Sequence, residues 1–188
     1  MATFKINGKN FATQDGTGAA TIHSDVVFPA GHVLQVVSTT KTDFFSTTST
    51  TYVDVTGLSA TITPSSTSSK ILVSVTGASS GSADNSFGYA VLLRDSTQIA
   101  IGDSRGSAQR ATLDLSQQQA GTPSVWAKYF AIHHLDSPTI PSTPIAITYK
   151  LQVKKTHNEN VGIGGTWSTS DGNRSNVPTV ITLMEIAG

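Results

Sequence analysis

The sequence predicts an all-β protein: an antiparallel β-sandwich, jelly-roll-like, with an extended N-terminal arm. Apolar and polar residues alternate in many segments, and no stretch of a dozen residues carries apolar side chains at helical spacing. Gly, Pro, Ser, Thr and Asn interrupt the apolar runs at short intervals, as turns between strands require. A chain of 188 residues fits one domain of ordinary size. We therefore expect an arm or anchoring segment over residues 1–30 and a sandwich over residues 31–188.

The clearest strand runs from Ile145 to Lys154, where the odd positions are apolar and the even positions are polar. This alternation is typical of an antiparallel strand with one face on a core and the other in water. The same test predicts further strands at Val33–Ser38, Lys70–Thr76, Phe87–Asp95, Val125–Leu135 and Thr179–Ile186, with shorter ones at Gln98–Ile101 and Arg110–Leu115.

The turns between these strands have their own signals. The residues RDSTQ, between Leu92 and Ile99, suit a tight hairpin, and Asp103–Gln109 suits a longer connection. Roughly eight to ten strands with regularly spaced turns are typical of a sandwich or jelly roll.

The segment Thr51–Thr63 looks at first like a serine- and threonine-rich linker, but its apolar residues alternate in two runs whose phase shifts by one at Gly57. A glycine at a phase shift predicts a β-bulge or a sharp strand bend. Threonine at the solvent-facing positions favours extended backbone. We therefore expect two strand segments that end at Pro64.

The first thirty residues differ from the rest. Phe4, Ile6 and Phe11 are isolated apolar residues in a run rich in Gly, Asn and Asp, and Pro29 and Gly31 suit a joint before the first core strand. This pattern favours an extended arm. Two interpretations remain open: the segment is an arm that packs on a neighbouring chain, or it is a strand of the domain itself.

Composition excludes several classes of partner. The formal net charge is zero and the charges are scattered, so no long-range field attracts phosphate backbones or anionic lipids, and we expect no nucleic-acid partner. The chain has no cysteine, which excludes disulfides and thiolate metal sites. No apolar run suits a signal peptide or a membrane span, so we expect a soluble protein made in a cytoplasm, without membrane insertion.

Catalytic and metal chemistry have little support in the sequence. His133 and His134 are adjacent on a predicted strand, so their side chains face opposite sides and cannot share one metal ion. One histidine repeated around a threefold axis remains an alternative. The acidic residues stand singly and mostly in turns, and the GIGGT segment at Gly162 lacks the lysine and helix of a phosphate loop. We expect no catalytic residues, no metal site and no cofactor.

Two sets of residues are candidate contacts instead. The turn-rich segment Trp167–Asn176 combines an aromatic ring with charged and amide groups, which suits a sugar or a protein surface. Trp167 alone also suits a core position at a strand end. The candidate receptor contacts are Trp167, Asp171, Asn173 and Arg174. Phe44 and Phe45 face opposite sides of a strand, so one can fill the core while the other is left for a trimer or partner interface.

Part of the sequence resembles a known module. The run FPAGHVLQVVSTTKTDFFSTTSTTYVDVTGLSATITPSSTSSKILVSVTG, with PIAITYKLQVKKTHNENVGIGGTW and the closing TVITLMEIAG, is similar to a module of tailed-bacteriophage virion structural proteins and tail fibre-like proteins. The similarity spans residues 28–188. It implies a trimeric jelly-roll head of the complement and tumour-necrosis-factor type, located on a virion after synthesis in the host cytoplasm.

The resemblance implies a non-enzymatic role with several alternatives. The first is a tail fibre or host-recognition component that forms a homotrimer and binds a host surface glycan or protein. The second is a capsid decoration, or cement, protein that stabilises the head. From a different, enzymatic class, the alternative is a carbohydrate-active, tailspike-like domain. The sequence has no heptad repeat and no Gly-X-Y stretch for a fibre shaft. This favours a short tip, a baseplate appendage or a capsid decoration, attached to other virion proteins through Phe4, Ile6 and Phe11 of the arm.

Overall fold

The computed structural model is an all-β fold, and it describes residues 2–14, 16–23, 26, 28–82, 88–116, 127–143, 145–156, 160–167 and 175–188. Its strands in the described part of the chain form three antiparallel sheets. In chain order they are β1 (Ala2–Ile6), β2 (Lys9–Gln14), β3 (Thr21–Ile22), β4 (Val33–Lys41), β5 (Phe45–Thr47), β6 (Val53–Ile62), β7 (Lys70–Gly81), β8 (Gly88–Arg94), β9 (Thr97–Ile99), β10 (Leu113–Asp114), β11 (Lys128–Asp136), β12 (Ile147–Lys155), β13 (Val161–Ile163) and β14 (Thr179–Ile186).

The strands from β4 onward pair in a nested order. β4 pairs with β14, β6 with β12, and β7 with β11, while β8 pairs with both β9 and β10. The chain is thus one long antiparallel hairpin wound into two sheets, which is the connectivity of a jelly roll. We call the sheet of β4, β5, β7, β11, β13 and β14 the larger sheet, and the sheet of β6, β8, β9, β10 and β12 the smaller sheet. The predicted β-sandwich is confirmed.

The core lies between the two sheets and follows the alternation of the sequence. Along β12 the buried side chains are at every second position, and Tyr149, Leu151 and Val153 are fully buried. The inward side chains of β14, Ile181 and Leu183, are also fully buried and belong to the same cluster. Burial of a large aliphatic side chain contributes roughly 1.5–3 kcal/mol, so this cluster is the main source of stability.

Gly57 produces the bulge that the phase shift predicts. Its φ of 83° lies in the left-handed region, where glycine carries no Cβ penalty. In the pairing of β6 with β12, the four residues 55–58 stand opposite the single residue Leu151. Val55 and Leu58, on the two sides of the bulge, therefore both point into the core.

The N-terminal segment differs from the extended arm that we expected. β1, β2 and β3 form a separate three-stranded sheet, here called the N-terminal sheet. Asn7 and Gly8, with φ values of 49° and 77°, make the two-residue turn that joins Ile6 to Lys9. A pair of positive φ values matches the twist of a hairpin, and Asn-Gly supplies it at little cost. The segment thus folds on itself.

One buried carboxylate joins the two sheets at one end of the sandwich. Asp136 of β11 accepts two hydrogen bonds from one terminal nitrogen (Nη1) of Arg94, at 2.8 and 2.9 Å, and one from the Tyr149 hydroxyl at 2.7 Å. Burial, followed by the hydrogen bond to Asp136, raises the pKa of Tyr149 well above its usual range. Tyr149 is therefore a neutral donor that holds Asp136 against the smaller sheet.

A second buried carboxylate fixes the connection between β6 and β7. Glu185 is fully buried, and one of its oxygens accepts from the Ser65 N–H, the Ser65 hydroxyl and the Ser69 hydroxyl at 2.6 to 2.8 Å. The other oxygen accepts from Gln35 Nε2 at 2.6 Å. Every donor is uncharged, so hydrogen bonds alone stabilise this carboxylate.

Candidate functional site

An aromatic pair covers a glycine on the outer face of the larger sheet. The rings of Phe44 and Trp167 meet edge to face, with centroids 5.6 Å apart. Val161 and Ile163 point into the core, so Gly162 between them faces outward, and a Cβ built there would overlap the Phe44 ring at Cζ. The glycine therefore makes room for the phenylalanine ring. Both aromatic side chains remain half-buried.

Trp167 lies next to a short antiparallel pairing of residues 165–166 with residues 175–176. Gly165 and Asn176 form an antiparallel bridge, and the Thr166 N–H donates to the Ser175 carbonyl at 2.9 Å. The Ser175 N–H in turn donates to the Thr166 hydroxyl at 2.8 Å. These bonds bring the two arms of the segment together beside the aromatic pair. The other candidate receptor contacts, Asp171, Asn173 and Arg174, lie outside the described residues.

The two adjacent phenylalanines separate as strand geometry requires. Phe45 packs against the core cluster, while Phe44 contacts Trp167 on the outside. Phe44, a predicted interface residue, therefore lies in the same surface as Trp167, a predicted receptor contact. Next to it, the Lys41 ammonium donates to Asp43 at 2.7 Å and holds the pKa of that carboxyl below its usual range.

Replacing Gly162 by alanine tests the aromatic pair. The new methyl group displaces the Phe44 ring, so we expect the emission of Trp167 to shift to the red because its ring gains water contact. The chain has two tryptophans, so the measurement uses a Trp126→Phe background. The free energy of unfolding should be only about 1 kcal/mol lower than that of the parent protein, because the Phe44 ring is the far end of a side chain and can move aside.

The control for this variant is Gly102→Ala, since a Cβ at Gly102 meets no atom within 4 Å. Its Trp167 emission should match that of the parent. An unshifted spectrum for Gly162→Ala would show that Phe44 does not shield Trp167.

The outer face of the larger sheet carries a second surface, which the sequence analysis did not identify. Leu135 stands opposite Leu72, Leu72 opposite Met184, and Met184 opposite Val36, so four apolar side chains cross four strands in one row. We call this row the apolar band. Leu135 and Val36, at its two ends, are 49% and 55% exposed. The band can be recognised only when the strand registers are known. In the sequence, each of its residues stands alone between positions that point into the core.

The two rows on one side of the band carry no formal charge at neutral pH with histidine neutral, whereas the row on its other side pairs Ile186 with the exposed Lys70. One row consists of hydroxyl groups and a histidine, and the next adds two aliphatic side chains; they are Ser38, Thr182, Ser74 and His133, and then Thr40, Val180, Thr76 and Ala131. Ser38 and Thr182 hydrogen-bond to each other at 3.0 Å, which satisfies hydroxyls that would otherwise need water. The band and these two rows can be covered by protein without burying an unpaired charge, provided that Lys70 stays at the margin.

The N-terminal sheet carries the predicted arm residues and exposes them. Phe4 stands opposite Ala12, and Ala12 opposite Ile22, so an apolar row crosses all three strands. Phe4 is 60% exposed and Ile22 is 55% exposed, while Ile6, at the end of β1, is 51% exposed. Phe11 contacts Phe4 edge to face at 5.8 Å. A three-stranded sheet needs a covered apolar face for independent stability, so this row is a further candidate contact surface, besides the aromatic pair and the apolar band.

The histidines and carboxylates of the described residues are not grouped as the ligands of a metal ion would be. His133 is exposed and His134 is half-buried on opposite faces of β11, as predicted. No group of three or more His, Asp or Glu side chains that could hold a metal occurs among the described residues. Asp136 and Glu185 stand on strands with inward side chains, which differs from the turn positions that we expected for most acids. Within the same residues, no helix is long and apolar enough to cross a membrane.

Comparisons with known proteins give weak similarities. No protein-family profile matches the chain, and no curated protein sequence matches it significantly. A structure of infectious bursal disease virus, Gx strain, matches with a TM-score of 0.40 and 14% identity, covering 100% of this chain and 47% of that chain. T=1 particles derived from infectious bursal virus match with a TM-score of 0.37 and 14% identity, covering 93% and 41%. The chain spans less than half of those proteins, and similarity at this level carries no argument about function.

Proposed function

We propose that this protein is a non-enzymatic structural component of a tailed-phage virion, displayed on the particle as a homotrimer that belongs to the tail fibre or host-recognition apparatus. The resemblance of residues 28–188 to phage virion proteins supports the location. The nested strand pairing supports a jelly-roll head, because that resemblance implies the same connectivity.

The observation that carries the proposal is the apolar band with its uncharged rows. A half-exposed apolar row four strands wide is costly in water, and such surfaces are typical of sites where proteins meet. The absence of charge along the band and the two rows on one side of it favours a partner that is equally uncharged there, with Lys70 at the margin of the contact. Another copy of this chain, whose formal net charge is zero, meets that requirement.

The N-terminal sheet is the proposed anchor. Its exposed row of Phe4, Ala12 and Ile22 offers an apolar surface to another virion protein, and the charges of Lys5 and Lys9 can stay in water at its margin. The segment that begins at Trp167 is the proposed contact with the host surface. Three copies of a weak site in one trimer give the avidity that single sites lack.

Imaging of gold-labelled protein on intact particles tests the proposed location. We expect label at the tail. Label distributed over the head would overturn the host-recognition role and favour the capsid-decoration alternative. Particles that lack the protein, adsorb normally and burst on mild heating would favour decoration as well.

Replacing Val36 by glutamate tests the homotrimer. The substitution places a charge at the exposed end of the apolar band, and burying that charge in an interface costs several kcal/mol. We expect the parent protein to be trimeric in light scattering at micromolar concentration and the variant to be monomeric with an unchanged circular-dichroism spectrum. Thr61→Glu, on the exposed side of the smaller sheet, is the matched control and should remain trimeric. A monomeric parent protein would contradict the proposal.

A further inference from the structure

A cleft lies on the other side of the sandwich, over the outer face of the smaller sheet. Its floor includes Asp114 of β10 and Tyr89 of β8, which stand opposite each other, and Lys154 of β12, opposite Tyr89, stands beside the floor. The core residues Ala90 and Val153 adjoin these residues, so Tyr89 and Lys154 point outward. The wall is the connection between β9 and β10, which lines the cleft with Asp103, Arg105, Gln109 and Arg110, and the cavity volume is about 340 Å³.

The wall of the cleft is held in place by bonds at three points. The Gly102 N–H donates to the Ala111 carbonyl at 3.2 Å and closes the base of the connection. Arg110 Nε donates to the Gly102 carbonyl at 2.8 Å, and Lys154 Nζ donates to Gln109 Oε1 at 2.8 Å. Lys154 also lies 4.7 Å from the ring centroid of Tyr52, which fixes the position of its ammonium group. The side chains of Gln109, Arg110 and Lys154 are thus positioned before any ligand arrives.

These bonds leave several donors and acceptors of the cleft free for a ligand, although Asp114 Oδ1 accepts from the Ser116 N–H at 2.8 Å. Arg110 uses Nε for Gly102, so its two terminal amino groups remain available, and the amide nitrogen of Gln109 remains available because its oxygen accepts from Lys154. Among the described residues, the side chains of Arg105 and Asp103 make no ion pair or hydrogen bond. Two of the four arginines of a charge-poor chain therefore converge on one cleft.

The charge balance of the cleft identifies the class of ligand. Within the lining, Arg105 and Arg110 contribute two positive charges and Asp103 and Asp114 two negative charges, and the Lys154 ammonium beside the lining is engaged by Gln109 Oε1 and the Tyr52 ring. A phosphate or sulfate would be repelled by the two carboxylates, whereas neighbouring hydroxyl groups can accept from a guanidinium and donate to a carboxylate. The half-buried Tyr89 ring offers a face for the C–H side of a sugar.

We propose that this cleft is a binding site for a neutral saccharide, of the size of one or two sugar units. The volume is at the lower end of the range for small-ligand pockets, roughly 300–1,000 Å³, which fits a short unit and not a long chain. The proposal rests on the proposed host-recognition function and adds to it a second contact site, on a different sheet from Trp167.

Saturation-transfer NMR with the full chain tests the site, using a panel of neutral mono- and disaccharides at millimolar concentration. We expect signals from at least one sugar, and about tenfold weaker binding for Arg110→Ala and for Arg105→Ala. Arg105 makes no intramolecular bond through its side chain, so its variant separates binding from folding. Lys150→Ala, on the same outer face but outside the cleft, is the control and should bind like the parent.

Inorganic phosphate is the second probe. The site is overturned if no sugar gives a signal, if the signal persists in the double variant of Arg105 and Arg110, or if phosphate binds and sugars do not. None of these results bears on the trimer or on the location in the virion, because light scattering and particle imaging measure those without a ligand. Failure of the cleft and failure of the proposed function are therefore distinguishable.

Discussion

Replacing Asp136 by alanine should lower the free energy of unfolding by about 3 kcal/mol. The substitution leaves the Arg94 guanidinium, whose side chain is 27% exposed, without its carboxylate, and it leaves the fully buried Tyr149 hydroxyl without an acceptor. A buried donor that loses its partner costs its full desolvation penalty, and here two donors lose theirs at once. Urea unfolding followed by circular dichroism measures the change, and the slope of the transition should be unchanged.

Two comparisons isolate the cause of this loss. Tyr149→Phe removes one hydroxyl and keeps the ion pair, so we expect a smaller loss of about 1–1.5 kcal/mol. Asp54→Ala breaks an ion pair of similar length, 2.9 Å to Lys150, but Asp54 is 52% exposed and the loss should stay below about 1 kcal/mol. Equal losses for Asp136→Ala and Asp54→Ala would show that the bond between the sheets contributes no more than a surface pair.

The fold could be predicted because the core residues recur at every second position along the strands. The strand from Ile147 to Lys155 lies within one residue of its expected end, and the bulge at Gly57 lies at its phase shift. Burial enforces this agreement, since a slip of one residue would turn every core side chain into water. The short strands β5 and β13 escaped prediction because three residues carry too little alternation to be recognised.

Two further features of the fold follow from local patterns in the sequence. The Asn7-Gly8 pair is a strong hairpin signal, and it explains why the N-terminal segment folds on itself. Glu185 stands in phase with Ile181 and Leu183, so its burial follows from the same alternation that identified the core. An acidic residue at a core position is a sign of a hydrogen-bonded carboxylate.

The candidate surfaces depend on partners that are distant in the sequence. The apolar band requires the registers of four strands, and the cleft requires the fold of a long connection over Tyr89. Phe44 and Trp167 were each singled out, but their contact joins positions 123 residues apart (167 − 44). No local pattern encodes such a distance, so tertiary structure alone brings these residues together.

Replacing Glu185 by glutamine should cost about 2–3 kcal/mol at neutral pH and should flatten the dependence of stability on acid. Burial by itself would raise the pKa of Glu185, but the hydrogen bonds from Ser69, Gln35 and Ser65 outweigh it and hold the pKa below its usual range. A depressed pKa stabilises the fold above the unfolded value, about 4.3, and this contribution is lost as the pH falls through the folded value. Glutamine also turns an amide N–H₂ toward donors, and the Ser65 N–H cannot reverse its role.

Urea unfolding at a series of pH values between about 7 and 2 measures this dependence. The difference between parent and Glu185→Gln should be largest at neutral pH and should shrink steadily below about pH 4, because the parent carboxylate then takes up a proton. Asp54→Asn is the matched control: the Lys150 and Gln152 hydrogen bonds also lower the pKa of Asp54, but the group is half-exposed and water screens its charge. If the stability of the Glu185→Gln protein depends on pH as strongly as that of the parent, the prediction is wrong. Protonation of Glu185 would then not be the cause of the stability lost in acid.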